Sequence, residues 1–372
     1  MRLAMPFLLA ATICSSCGLF DSGPNEPETI PMPSSVVQEF EQACRQLLTE
    51  HPSGIPGCFP ARDGWVLEGN ELRYGRSGPF FGENATEVYP DARPGEADPM
   101  GAILHFRDQL EARGIELVMI PIPVRPVIYP ESVMNVDAFR DAVPFPHVKP
   151  MQDDFMRLLR ENGVHRINLT PYFLKNRHHA LGPLYCRSDT HWSPVAAYLA
   201  AEILGEFVKS RRWFAAALEQ YGDPEQPFTA EWLSLEHFGH IFKTLQENSW
   251  REPLEAEKLA YRKISGPGIV AKSGEGFRHR SAPVLVIGDS NVLWWFKQCA
   301  DFPSQLSYEL GFNVDAIITR GGGINEGRLN LVREVRSNPQ YLEGKKLVVW
   351  IFSARSVLGA QPSWIRTTLG SV

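Results

Sequence analysis

The sequence predicts an α/β protein whose core is a mainly parallel sheet. From about residue 96, helix-periodic segments alternate with short apolar runs, the rhythm of a sheet wound with helices. The runs are apolar on both faces, as strands covered on each side must be. The balance of 44% hydrophobic and 22% charged residues is that of a globular chain.

In order, the elements follow from local chemistry. Residues 1–20 have one charge at Arg2, an apolar stretch from Leu3 to Ile13 and small residues around Cys17, a secretory signal too short to span a bilayer. Ser15, Ser16, Cys17 and Gly18 match a bacterial lipoprotein site, although Cys14 stands where an aliphatic residue is preferred; lipidation stays open. The acidic, Pro-rich residues 21–33 read as a tether. An N-terminal extension over 34–60 begins with a helix, capped by Ser34 or Ser35, whose Val36, Val37, Phe40, Cys44, Leu47 and Leu48 share one face and which ends at His51 and Pro52. The stretch GWVLEGNELRYG, 64–75, predicts a hairpin turning at Gly69 and Asn70.

The main domain is expected over 61–372. It reads as a helix over 96–113, the strand IELVMIPIPV, a helix through Phe155, Leu158 and Leu159, and the strand HRINLT. The pattern resumes with APVLVIGDS, a helix from about Val292, VDAIIT, a helix from about Asn325, and KLVVWIF, giving at least five strands. Between the halves, Ser193 caps a helix with Pro194 in its first turn, and a helical insertion is expected over about 211–280.

The formal charge of -6 comes without basic blocks, which argues against a nucleic-acid partner. After the signal, Cys44, Cys58, Cys186 and Cys299 remain; an exported protein can pair them, with Cys44 and Cys58 closing a short loop, or keep them as buried thiols. No cofactor or metal is expected. The cysteines lack zinc-ligand spacing, and His237 and His240, three apart in HFGHIF, have no evident acidic partner. His178 and His179 could line a groove or simply face solvent.

Ligands in parallel α/β sheets bind beyond the carboxyl ends of strands, where Ser290 in VLVIGDSN falls. Alone, this Gly-Asp-Ser reads first as a helix cap, supplied by Asp289 or Ser290. A nucleophilic serine needs a base, and the base needs an orienting acceptor. SDTHW, 188–192, offers both: two residues apart in an extended loop, Asp189 and His191 project to the same side. TRGGGINEG puts glycine backbone at another strand end, where Gly321, Gly322 or Gly323 and the Asn325 side chain could donate to an oxyanion. That loop lacks P-loop spacing and its lysine, which argues against nucleotide binding.

Together, DGWVLEGNELRY, GIELVMIPIPVRPVIYPE, YCRSDTHWSPVAAYLAAEIL, VLVIGDSN and LVVWIFSARSV resemble, in order and over roughly residues 60–358, the SGNH hydrolase-like proteins of the alginate O-acetyltransferase family, the AlgJ and AlgX type. Ordinary SGNH esterases place the serine before the Asp/His pair, whereas here the order is reversed. The resemblance implies a three-layer SGNH hydrolase-like domain with altered motif order. It also implies Ser290 as acetyl-accepting nucleophile, His191 as general base and Asp189 as orienting carboxylate. By the same resemblance the protein is periplasmic, acetylates an exopolysaccharide, and receives acetyl through a membrane-bound O-acyltransferase. Arg125 stands where the family often has lysine, and the resemblance implies it as a substrate contact. Asn291 and the glutamate-free WIFSAR also depart from the pattern. The competing readings are an acetylesterase with the same residues and a non-catalytic scaffold of an export complex.

Overall fold

The computed structural model describes residues 26–27, 29–139, 141–142, 145–248, 255–271, 278–321, 323–359 and 363–370. Residues 1–20, read above as a signal, and residues 21–25 and 28 of the expected tether fall outside these residues. Nine strands are described: β1 (Cys58–Pro60), β2 (Val66–Glu68), β3 (Glu116–Ile122), β4 (His165–Arg166), β5 (Thr229–His237), β6 (Glu257–Ser265), β7 (Val284–Gly288), β8 (Asp315–Ile318) and β9 (Leu347–Ser353). Five form the central sheet in the order β4-β3-β9-β7-β8, and every pairing is parallel. Successive side chains of a strand point to opposite faces, and all residues of β7 and β9 are buried, so the sheet is covered on both sides. This is an α/β architecture with a parallel central sheet, as the alternation of helix-periodic and apolar runs predicts.

Helix ends match local capping chemistry. Asp98 accepts from Met100 N at 3.0 Å to open Pro99–Glu111, which packs on β3. Ser193 accepts from Ala196 N at 3.3 Å to open Pro194–Lys209, whose long apolar face packs on Phe302–Leu310. Glu326–Ser337 packs against β7 and β8.

Several expectations change. The first helix spans Ser34–Glu50, but Pro33 precedes it without a side-chain cap, so neither serine caps it. The end of the tether docks on the body: Met32 N and Ile30 O bond the backbone of His147 at 3.3 and 2.8 Å. The hairpin at 64–75 does not form. β2 pairs backward with β1, and Gly69–Arg76 is helical because Glu68 and Glu71 complete a capping box and Leu72 and Tyr74 are buried. HRINLT supplies only β4; Asn168 then caps the helix Leu169–Lys175 through Thr170 N at 3.2 Å.

The insertion is not wholly helical. β5 and β6 form a nine-residue antiparallel ribbon from Thr229↔Ser265 to His237↔Glu257. β5 is largely exposed and lacks the two-sided apolar pattern of the sheet strands, which hides it from a search for buried runs. The four described cysteines are free and buried. Cys44 Sγ faces the backbone of Gly75, not Cys58, so the short-loop bridge is absent and the thiol reading holds. No helix among the described residues is long and apolar enough to cross a membrane.

Candidate functional site

The turn after β7 is shaped by close approach. A Cβ on Gly288 would lie 2.3 Å from Ile351 O of β9, so only glycine lets these strand ends meet. Asp289 is the cap. It accepts from Asn291 N at 3.0 Å and, across the sheet, from Ser353 N at 2.7 Å. Ser290 opens the helix Ser290–Leu293, its hydroxyl partly exposed at the carboxyl end of the sheet. The cap and the hydroxyl are thus supplied by neighbouring residues.

The loop SDTHW lies directly on this turn. Trp192 is fully buried, with its indole N–H on Asn291 O at 2.8 Å, and Trp295 Nε1 donates to Trp192 O at 2.8 Å. His191 stacks flat on Trp294, ring centroids 3.6 Å apart and planes 8° apart. Its Nδ1 donates to Asp189 Oδ1 at 2.7 Å, and its Nε2 accepts from the Ser290 hydroxyl at 3.0 Å. A carboxylate can only accept, which fixes the proton on Nδ1 and leaves Nε2 free to take one. Asn291 therefore ties the two loops together.

Asp189 is completely buried and accepts five hydrogen bonds. Oδ1 takes His191 N, His191 Nδ1 and His240 Nδ1 at 3.0, 2.7 and 2.8 Å; Oδ2 takes His237 Nε2 and His240 N at 2.9 and 3.2 Å. Burial pushes the carboxyl up, but the hydrogen bonds from His191, His237 and His240 together outweigh it and hold it well below the ordinary carboxylate range. For His191, burial works against the imidazolium more strongly than Asp189 favours it, and His240 and Arg355 add to the burial effect. Its pKa falls, so the ring is a neutral base near pH 7.

The acidic partner missing from the sequence reading of His237 and His240 is Asp189, 48 and 51 residues earlier in the chain. Local spacing carries no signal for a contact at that separation. Asp189, His191 and His240 bring metal-ligand atoms within 4.8 Å of one another, and hydrogen bonding to one carboxylate accounts for the closeness.

Other predicted groups lie elsewhere. Arg125 is fully buried and paired with Glu71, with Nη1 on the carbonyls of Cys186 and Arg187 at 3.2 Å each. It braces the chain entering the SDTHW loop, and its buried pairing withholds it from substrate. Asn325 donates through Nδ2 to Ser363 O at 2.7 Å and accepts from Arg328, so its side chain is engaged away from the serine. Gly321 is exposed with φ +67, Gly322 lies outside the described residues, and Gly323 lines a small hollow with Gly288, Asp289 and Ser356. A cleft of about 1600 Å³ reaches the loop at Arg187 and Ser188 and is lined by His178 and His179, but by neither His191 nor Ser290.

A hydroxyl on a neutral imidazole whose other nitrogen faces a fixed carboxylate can be deprotonated as it attacks a carbonyl carbon. The comparisons with known proteins bear on this chemistry. Residues 72–354 match the family described as SGNH hydrolase-like domain, acetyltransferase AlgX. The probable alginate O-acetylase AlgJ of Pseudomonas syringae pv. tomato is 26% identical over 65% of this chain and 56% of its own length. The chain thus spans little more than half of that relative. The probable alginate O-acetylase AlgJ of Pseudomonas aeruginosa is 26% identical over 81% of this chain and 71% of its own. Among solved structures, the O-acetyltransferase domain of Pseudomonas putida AlgJ covers 82% of this chain and 92% of its own at a TM-score of 0.57 and 21% identity, a likeness of fold. With the family matched from within the helix Gly69–Arg76 through β9, the chain belongs to the AlgX-type SGNH hydrolase-like acetyltransferase family.

Proposed function

We propose that this protein transfers acetyl groups to hydroxyls of an exopolysaccharide through an acetyl-serine at Ser290. The observation that carries the reading is the chain of contacts from Ser290 Oγ to His191 Nε2 at 3.0 Å and from His191 Nδ1 to Asp189 at 2.7 Å, in a family of acetyltransferases. In the first half-reaction, Oγ bonds to the acetyl carbonyl carbon while its proton passes to His191 Nε2. The donor's leaving group departs with that proton. In the second, a sugar hydroxyl attacks the acetyl-serine, gives its proton to His191, and leaves as the ester while Ser290 recovers its hydrogen. Asp189 stays ionised throughout and stabilises the imidazolium. The amide of Ser290, at a helix start where the first N–H groups lack intrahelical acceptors, is our assigned oxyanion donor, with Gly323 as the second.

The acetylated polymer, a periplasmic location with lipid attachment at Cys17, and acetyl supply by a membrane-bound O-acyltransferase belong to the same proposal. The test is partition of acetyl from an activated ester, with and without deacetylated exopolysaccharide oligomers. Acetyl should appear on the oligomer, and Ser290→Ala should abolish it. Free acetate that never moves to oligomer would identify an esterase instead. Unchanged polymer acetylation with Ser290→Ala would leave the protein a scaffold.

A further inference from the structure

The segment between β5 and the helix His240–Glu247 closes on the Ser188–Thr190 loop at successive points. Gly239 N donates to Ser188 Oγ at 3.2 Å and Ile241 N to Ser188 O at 3.2 Å. His237 and His240 take Asp189 as described, and His240 Nε2 lies 3.4 Å from Thr190 Oγ1. A Cβ at Gly239 would fall 1.9 Å from Ser188 O, so the approach depends on glycine. On the second ribbon strand, Glu257 accepts from Arg187 N and Ser188 N at 2.8 and 3.4 Å.

We propose that His237, Gly239 and His240 form a clasp that positions the Asp189 carboxylate against His191 for acyl transfer, making both histidines positioning residues of the reaction proposed above, on which this inference rests. A carboxylate held by His191 alone could rotate about its own side-chain torsion. Here Oδ1 and Oδ2 each receive an imidazole N–H from the clasp, which fixes the carboxylate plane. The tryptophans after Ser290 interleave with the same rings: Trp295 meets His237 at 5.0 Å and Trp294 meets His240 at 5.5 Å, both edge to face.

The clasp also sets the balance of charge at His191. Among the described residues, the charged and titratable groups around the Asp189–His191 pair include His237 and His240 from the clasp, Arg355 after β9, and the Cys186 thiol, Glu257, Arg125 and Glu71 behind the loop. The clasp donors draw on the same carboxylate that would stabilise a protonated His191, and His240 disfavours that proton directly. Removing them leaves Asp189 fully available to His191. Protonation of the base then becomes easier, and the acid limb of the rate moves to higher pH.

The experiment follows acetylation of Ser290 by p-nitrophenyl acetate at limiting reagent, as a function of pH, in the full chain. His237→Ala with His240→Ala should slow the reaction about 100-fold, the cost of an ångström-scale misplacement, and move the acid limb upward. His237→Gln and His240→Asn retain a donor near Nε2 and near Nδ1, respectively, and should restore most of the rate. Gly239→Ala should behave like the double alanine variant. A double alanine variant with the parental rate and limb overturns the clasp, as does a folded one slowed equally at every pH with the limb in place. If the alanine variants do not fold, the amide pair decides: a loss as deep as Ser290→Ala overturns the inference. If the parent itself leaves Ser290 unlabelled, the proposed function fails. The low-field proton resonance of His191 Nδ1–H in the resting protein then tests the clasp separately, its loss in the alanine variants supporting it and its persistence overturning it.

Discussion

Asp189 and Asp301 are both fully buried, and burial alone drives both carboxyls toward the protonated form. Asp301 caps the helix Phe302–Leu310 and accepts from the Ser304 N–H at 3.0 Å and hydroxyl at 2.9 Å and from its own backbone N–H, none of them an imidazole. Burial prevails there, and the carboxyl is pushed up to about 7. At Asp189 burial is opposed by three imidazoles, and the carboxyl is held well below its ordinary range. Depth is the same at the two sites; the number and kind of donors differ. A permanent anion stands where an imidazolium would form, and a carboxyl able to keep its proton stands where only a helix start needs an acceptor.

The largest effect that sharpens this contrast comes from neutralising each carboxyl. Asp189→Asn should slow acetyl-enzyme formation about 10⁴-fold with the fold intact, because an amide presents N–H to imidazole N–H and reverses the His191 tautomer. Asp301→Asn should leave that rate unchanged. Comparable losses from the two would erase the distinction.

Next is stability against pH. A carboxyl whose folded pKa is raised stabilises the fold below its unfolded value, and that contribution is lost as pH rises through about 7. Asp301→Asn removes the dependence. Thermal melts should show the variant more stable than the parent at pH 8, by on the order of a few kcal/mol, and nearly equal to it near pH 4.

A smaller and more local effect concerns His191. Because burial lowers its pKa, the ring remains a base as pH falls through about 6.5. The pH profile of Ser290 acetylation should therefore place its acid limb below that of free imidazole. A limb above it would mean that the Asp189 charge dominates burial. Smallest is Asp289→Ala, which removes the cap on Asn291 N and the tie to Ser353 N; a loss of about 1–2 kcal/mol in denaturant unfolding is expected.

The sheet was legible because β3, β7 and β9 are apolar on both faces, a pattern that needs no knowledge of partners. Ser290, His191 and Asp189 were readable as a set because a base and its orienting acid sit two residues apart in one loop. Contacts set by distant segments were not readable. β5 and β6 are each part exposed and find one another across an intervening helix, so neither declares itself locally. Gly69 and Asn70 look like a turn until the capping box formed by Glu68 and Glu71 makes them a helix start. Arg125 is read from the resemblance as a substrate contact, and only the fold reveals that Glu71 meets it in the interior. His237 and His240 gain their meaning solely from Asp189.

The most direct measurement is mass-spectrometric mapping of the acetyl adduct after a single turnover with an activated acetyl ester. One acetyl on the peptide containing Ser290, absent in Ser290→Ala and strongly delayed in His191→Ala and Asp189→Asn, is the predicted result. An adduct on another residue, or one that forms at the parental rate in Ser290→Ala, would contradict the account.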